Sequence, residues 1–274
     1  MSRARWVSLE EAVASIPEGA SIAPGGFMLG RAPMALIFEL VRQRRGGLHV
    51  VSLPNPLPAE ILVAAGAVSR LEFLFTAISL DGGVRSMPCL KRAIEGGAVE
   101  WYEHDGYRLV QRLRAAAMGV AFLPVPDFDA SAVATKAPLP SVVDPFSGES
   151  VPVASALHPD VALIHARSAD ASGNLWIEDP TTDLTIAGAA RRVIATADAR
   201  VDRVPNATVP GFMVDMVVEQ AFGAYPTGCL GLYPADEEHL GHYLCAAEAG
   251  EQEAYLDQIV RASSNQAEIA RRAA

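Results

Sequence analysis

Cysteine is scarce in this 274-residue chain, and the three present, Cys89, Cys229 and Cys245, are far apart with no Cys-x-x-Cys pairing. An odd, scattered set indicates neither a disulfide framework nor a zinc ribbon, and reduced cysteines fit a cytoplasmic setting. Basic charge is also short, with 22 Lys and Arg against 32 Asp and Glu and a net charge of −10. That balance argues against a general nucleic-acid or anionic-membrane surface and leaves only local basic pockets for phosphorylated ligands. Long apolar runs are missing. Glu10, Glu11 and Glu18 interrupt the apolar region that a signal peptide would need after Arg3 and Arg5, and no later stretch is long enough to span a bilayer. Internal repeats and low-complexity tracts are absent too. What the chain has is hydrophobic residues, 50% of the total, enough to bury one large core.

The chain is organised around the stretch from Gly19 to Pro33, an apolar strand (Ser21 to Ala23) running into a glycine turn and then a helix from Met34 to Arg45. Pro33 suits the first turn of that helix. Before it, Ser8 and Glu11 form a capping box for a short helix that turns Val13 and Ile16 inward. After it, strand and helix alternate: a strand from Leu48 to Leu53, a helix from Ala59 to Ala65, and a doubly apolar strand from Leu71 to Ile78 that suits a parallel sheet covered on both faces. A helix from Pro88 to Glu95, a strand from Ala98 to Tyr102 and a helix from Tyr107 to Met118 follow. A proline-rich excursion at about 123–155 breaks the pattern, and its length suits wrapping the surface or meeting a partner chain. Alternation resumes with strands at Val161 to Ala166 and Arg192 to Thr196 around a helix near Thr182 to Arg191. The expected fold is α/β, an open and mostly parallel sheet with helices on both faces. Residues 1–234 form the main domain and 235–274 a C-terminal helical extension.

Several polar positions stand out. Gly25 and Gly26 have no side chains to block a ligand, so their N–H groups can face a polarised oxygen, while the same glycines also suit a plain strand-to-helix turn. Arg31 lies where it can approach a carboxylate or a phosphate. Gly83, with Gly82, and Ser86 follow the strand ending at Ile78, at the carboxyl edge where open α/β sheets bind ligands. His165 reads as a hydrogen-bonded structural histidine, and with no His or Cys at ligand spacing beside it no metal is expected. Asp170, Gly173 and Asn174 suit a structural turn, with Asn174 able to border a pocket.

The string from Gly25 through Gly26, Phe27, Arg31 and Pro33 to Ile37 resembles the glycine-rich opening of the α subunits of family I coenzyme A transferases, particularly the glutaconate branch. Glu103-His104 with the helix ending Arg112 to Gly119, Pro145 to Glu149, His165 to Asn174, Val217 to Glu219 and Gly223 to Pro226 are similar to the same family in the same order. The resemblance covers nearly the whole chain. It implies the fold shared by coenzyme A transferases and ribose-phosphate isomerases, a coenzyme A thioester as substrate with no permanently bound cofactor, and a β-subunit partner in a heterodimer or α2β2 assembly. The nucleophilic glutamate of such enzymes belongs to that partner, which leaves this chain an oxyanion site at Gly25 and Gly26 and an acyl-pocket wall at Phe27.

A second branch is similar too, the two-chain hydrolases that open the last steroid ring as a coenzyme A thioester. Their resemblance implies a catalytic carboxylate at Glu103. Burial beside Trp101 and Tyr102 would raise its pKa for proton transfer, whereas capping or pairing with the following helix would make it structural. Glu100 is weaker, since strand alternation puts it on the other face. Three functions therefore stand: a transferase α subunit, a ring-opening hydrolase α subunit using Glu103, and a scaffold that completes another chain's site. A self-sufficient sugar-phosphate isomerase would need a phosphate loop and its own acid–base pair, and no such loop occurs.

Overall fold

The computed structural model describes residues 4–126 and 139–262. In chain order the first half comprises β1 (Arg5–Trp6), α1 (Leu9–Ala14), β2 (Ser21–Pro24), α2 (Met34–Arg42), β3 (Leu48–Ser52), α3 (Leu57–Ala64), β4 (Val68–Phe73), β5 (Ala77–Leu80), β6 (Gly83–Ser86), α4 (Pro88–Glu95), β7 (Glu100–Glu103) and α5 (Gly106–Ala117). The second half comprises β8 (Phe122–Pro124), β9 (Ser141–Val143), β10 (Ser150–Ser155), β11 (Val161–Asp170), β12 (Leu175–Trp176), α6 (Asp183–Ala189), β13 (Arg192–Val201), β14 (Met216–Glu219), α7 (Glu237–Ala249) and α8 (Gln252–Ala262).

The main sheet runs β1-β14-β13-β11-β2-β3-β4-β7, with β12 added to β11. Every neighbour along that path is parallel, and only β12 is antiparallel. From β2 the chain moves outward through β3 and β4 to β7, and it later builds the other half from β11, so the order reverses between β2 and β11. In open α/β sheets ligands bind beside such a reversal, at the carboxyl ends of the strands.

Alternate residues of each central strand feed two cores. Ile22, Val50 and Leu163 face the layer made by α1 to α4, α7 and α8, while Ala23, Val51, Ala162 and Ile164 face α5 and α6. Period-two burial on both sides is what a parallel sheet covered by helices requires. The expected α/β architecture is the observed one. Leu240, Tyr243, Leu244, Leu256 and Ile259 of the two C-terminal helices join the first core.

Local chemistry sets the element ends. Ser8 caps α1 by accepting the Glu11 N–H at 3.1 Å, and Asp105 caps α5 by accepting that of Arg108 at 2.8 Å. The apolar stretch from Leu71 to Ile78 is two elements, not one strand. β4 stops at Phe73, and Ala77 starts a separate hairpin in which β5 pairs only with β6. The proline-rich segment contributes a three-stranded sheet, β8-β10-β9, and its residues 127–138 lie outside the described ones. Among the described residues no helix is long and apolar enough to cross a membrane.

The C-terminal helices are tied in by a buried carboxylate. Glu60 of α3 accepts the Cys89 and Leu90 N–H groups at the start of α4, at 2.9 and 2.8 Å, and the Tyr243 hydroxyl of α7 at 3.0 Å. Burial pushes its pKa up, against those same hydrogen bonds. Tyr243→Phe is expected to lose about 1 kcal/mol in urea unfolding, since Glu60 keeps its two backbone donors; no change would mean that the hydroxyl bond contributes nothing.

Candidate active site at the sheet crossover

The glycine turn leaves the carboxyl end of β2 beside the crossover and is pinned on three sides. Gly25 N–H donates to Leu163 O at 2.8 Å and Met28 N–H to Pro54 O at 2.6 Å. The buried Asn55 side chain donates to Gly25 O at 2.9 Å. Arg31 N–H donates to Gly228 O at 2.7 Å, Gly228 N–H to Leu29 O at 2.8 Å, and Ala32 N–H to Thr227 Oγ1 at 3.1 Å. Phe27 and Gly30 exchange two backbone bonds, so the crest is a closed four-residue turn with the Phe27 ring 46% exposed. Both leading positions must be glycine. A Cβ on Gly25 would lie 2.6 Å from Asp183 Oδ1, and one on Gly26, at φ +85°, would lie 2.5 Å from Gly30 O.

Beneath the turn lies a buried ionic network. Arg31, 1% exposed and at φ +55°, pairs with Asp179 and with Asp183, whose Oδ2 is 3.1 Å from its Nη2. It also donates to the Asp179 carbonyl at 2.8 Å and to His165 O at 3.4 Å. Burial opposes its charge, but the two carboxylates more than offset that and raise its pKa. His165 bonds Thr196 Oγ1 and Asp198 Oδ2, each at 2.9 Å, and Asp198 also takes the Phe222 N–H at 2.6 Å. Ligand-capable atoms of His165, Asp198 and Cys229 lie within 4.8 Å of one another. Sequence spacing could not show that grouping; the hydrogen bonds of His165 already account for both its ring nitrogens.

A second charged cluster flanks β7. Glu72 of β4, 2% exposed, meets His104 Nε2 at 2.9 Å, His49 Nε2 at 3.2 Å, Arg70 at 3.5 Å and Arg112 of α5. Arg70 in turn stacks over the Tyr102 ring, 4.7 Å from its centroid.

Several expected site residues sit differently. Neither Gly25 nor Gly26 presents a free donor, because Gly25 N–H is taken by Leu163 O and Gly26 N–H faces Asp183 Oδ1 at 3.3 Å. Arg31 is wholly engaged under the turn and unavailable to a substrate phosphate. Asn174 spends its amide on Asp170 Oδ2 and Gly211 N–H, at 2.9 and 2.8 Å, which makes it a structural turn residue. Gly83 is at the far tip of the β5-β6 hairpin, paired with Leu80, whereas Ser86 pairs with Ala77 at its base near the end of β4.

Glu103 ends β7 exposed, with Trp101 36% and Tyr102 41% exposed beside it, so the expected burial is absent. Neither does it cap the next helix, since Asp105 does. Its backbone pairs with Phe73 of β4, while its carboxylate makes no hydrogen bond or ion pair with a described residue. Glu100 accepts the Tyr102 hydroxyl at 2.8 Å, on the face opposite Glu103. The residues not foreseen are Asn55, Glu72, Asp179, Asp183 and Asp198. Only Asp183 carried a signal, an acidic residue at the start of an expected helix.

Residues 7–220 match the family described as Coenzyme A transferase. The crystal structure of a variant of the decarboxylase AibA/AibB contains a chain 60% identical to this one, covering 95% of this chain and 100% of that one with a TM-score of 0.93. Glutaconate coenzyme A-transferase from Acidaminococcus fermentans is 26% identical over 94% of this chain and 89% of its own, with a TM-score of 0.87. The cholesterol ring-cleaving hydrolase IpdA subunit of Mycobacterium tuberculosis is 32% identical over 88% of this chain and 87% of its own. An uncharacterized Archaeoglobus fulgidus protein is 35% identical over 93% of this chain, which spans 59% of that protein's length. Match length and shared fold together place the chain in the coenzyme A transferase family.

Proposed function

We propose that this chain is the α-type subunit of a two-chain decarboxylase acting on an acyl-CoA thioester that carries a second, free carboxylate. The observation that carries the reading is 60% identity across nearly the whole chain to a chain of the decarboxylase AibA/AibB. The name glutaconate in a more distant relative supports a dicarboxylic acyl group.

In such a reaction the bond between the carboxylate carbon and the acyl chain breaks, and its electron pair moves by conjugation into the thioester carbonyl. Carbon dioxide leaves, and a proton then replaces it on carbon. This chain supplies an apolar wall at Phe27, which keeps water from the developing carbanion. Glu103, at the open end of β7 and with its carboxylate unpaired among the described residues, is the proton carrier. A partner chain covering it excludes water from the carbon that takes the proton.

The test is to co-purify the chain with its β partner, supply a glutaconyl-type CoA thioester, and follow products by mass spectrometry. Loss of carbon dioxide by the complex but not by the lone chain, with kcat lowered about 10²-fold or more in Glu103→Gln, is the expected result. Transfer of CoA to an added free acid would establish the transferase reading that the family name supports. Ring opening of a steroid-derived thioester would establish the hydrolase reading, and turnover by the chain alone would defeat all three.

A further inference from the structure

The geometry points to Asp183, acting through Arg31 and Gly26, as the positioning residue that fixes the glycine turn for catalysis. The inference rests on the acyl-CoA reading above only for its kinetic part. The turn is an unfavourable piece of backbone, since Gly26, Met28 and Arg31 all have positive φ, at +85°, +50° and +55°. Two of the three are not glycine, so the surroundings must hold them there.

Asp183 is the fully buried group that does so. One oxygen faces the Gly26 N–H at 3.3 Å and Arg31 Nη1 at 3.3 Å; the other takes Arg31 Nη2 at 3.1 Å and the Thr181 N–H at 3.3 Å. It therefore grips both ends of the segment whose crest is Phe27. Asp179 completes the clamp from the surface side, with its Oδ2 close enough that a Cβ on Gly30 would lie 3.5 Å from it. Because Asp183 begins α6, the crest is registered against a rigid element packed on the central sheet. A displacement of about 1 Å in such a wall lowers turnover by roughly 10²-fold.

The experiment compares wild type, Asp183→Asn and Tyr243→Phe as complexes with the β partner. Asparagine keeps the size of the side chain and removes its charge, and Tyr243→Phe serves as a control with a structural defect in another part of the fold. Amide exchange of residues 25–31 should rise about 10-fold or more in Asp183→Asn and stay unchanged in Tyr243→Phe. The kcat of Asp183→Asn should fall about 10²-fold with KM within about 3-fold, a split that general destabilisation does not produce. Unchanged exchange in the turn, or a kcat loss no larger than that of Tyr243→Phe, overturns the inference. If Asp183→Asn does not assemble, Arg31→Lys replaces it under the same criteria. Altered exchange in a complex whose wild type turns over no acyl-CoA would sink the acyl-CoA reading and leave the clamp itself established.

Discussion

Glu72→Ala is expected to cost about 3–5 kcal/mol of stability, read as a lowered urea midpoint with an unchanged slope. The carboxylate is almost fully buried between β3, β7 and α5, and it is the common partner of His49, His104, Arg70 and Arg112. Removing it leaves those groups facing one another without their counter-charge. Arg70 can turn to solvent; Arg112 and the two histidines are mostly covered and cannot do so without opening the β7 edge. A loss below about 1 kcal/mol would show that the cluster rehydrates freely.

The same residue gives an acid-sensitive contribution whose sign is fixed. Burial raises the Glu72 pKa, but the hydrogen bond with His104, the close approach of His49 and the charge of Arg112 outweigh it and hold the group far below its ordinary value of 4.5. The unfolded chain therefore takes up a proton first as pH falls. The stabilisation is complete above about 4.5, declines below it, and disappears only on passing the folded value. The stability gap between wild type and Glu72→Gln should accordingly narrow on acidification from pH ~5 downward; a gap independent of pH would mean that the ion pairs are not its source.

Arg31→Leu is the second large effect, again about 3–5 kcal/mol, because it strands the fully buried Asp183 carboxylate with only the Gly26 and Thr181 N–H donors. The companion result is more diagnostic. In the double variant Arg31→Leu with Asp183→Leu the buried charge is gone as well, so a substantial part of the loss should return. Additive losses in the double variant would mean that the two residues stabilise independently and that the ion pair is not the source. Thermal unfolding of the four proteins in the cycle decides it.

The scaffold was legible because it is written locally. Ser8 and Glu11, Pro33 with the apolar spacing after it, and Pro88 at the start of α4 signal their elements within a few residues. Leu71 to Ile78 misled because an apolar run does not say which residues pair with a neighbour; Phe75 within it is 38% exposed. The site was less legible for a related reason. Arg31 looks like any arginine until Asp179 and Asp183, about half the chain away, are brought beneath it. Glu103 looked buried because aromatic neighbours in sequence suggest an apolar setting, yet at the end of an edge strand those aromatics lie on the surface with it. Whether Gly25 offers a donor depends on Leu163 O, which only the β2-β11 pairing supplies.

The pairing of β1 with β14 joins Arg5 to Met216 and Trp6 to Val217. During synthesis β1 must wait for β14, about 210 residues later, before it has this partner. At ribosomal speeds of about 5–20 residues per second, that wait is roughly ten to forty seconds. The β2-β3-β4-β7 half has all its neighbours early and can assemble first, whereas the crossover with β11 closes only after β2 has stood unpaired on that side for much of translation. The crossover is thus the seam along which two successively made halves meet, and its shape is fixed only once β11 has been made.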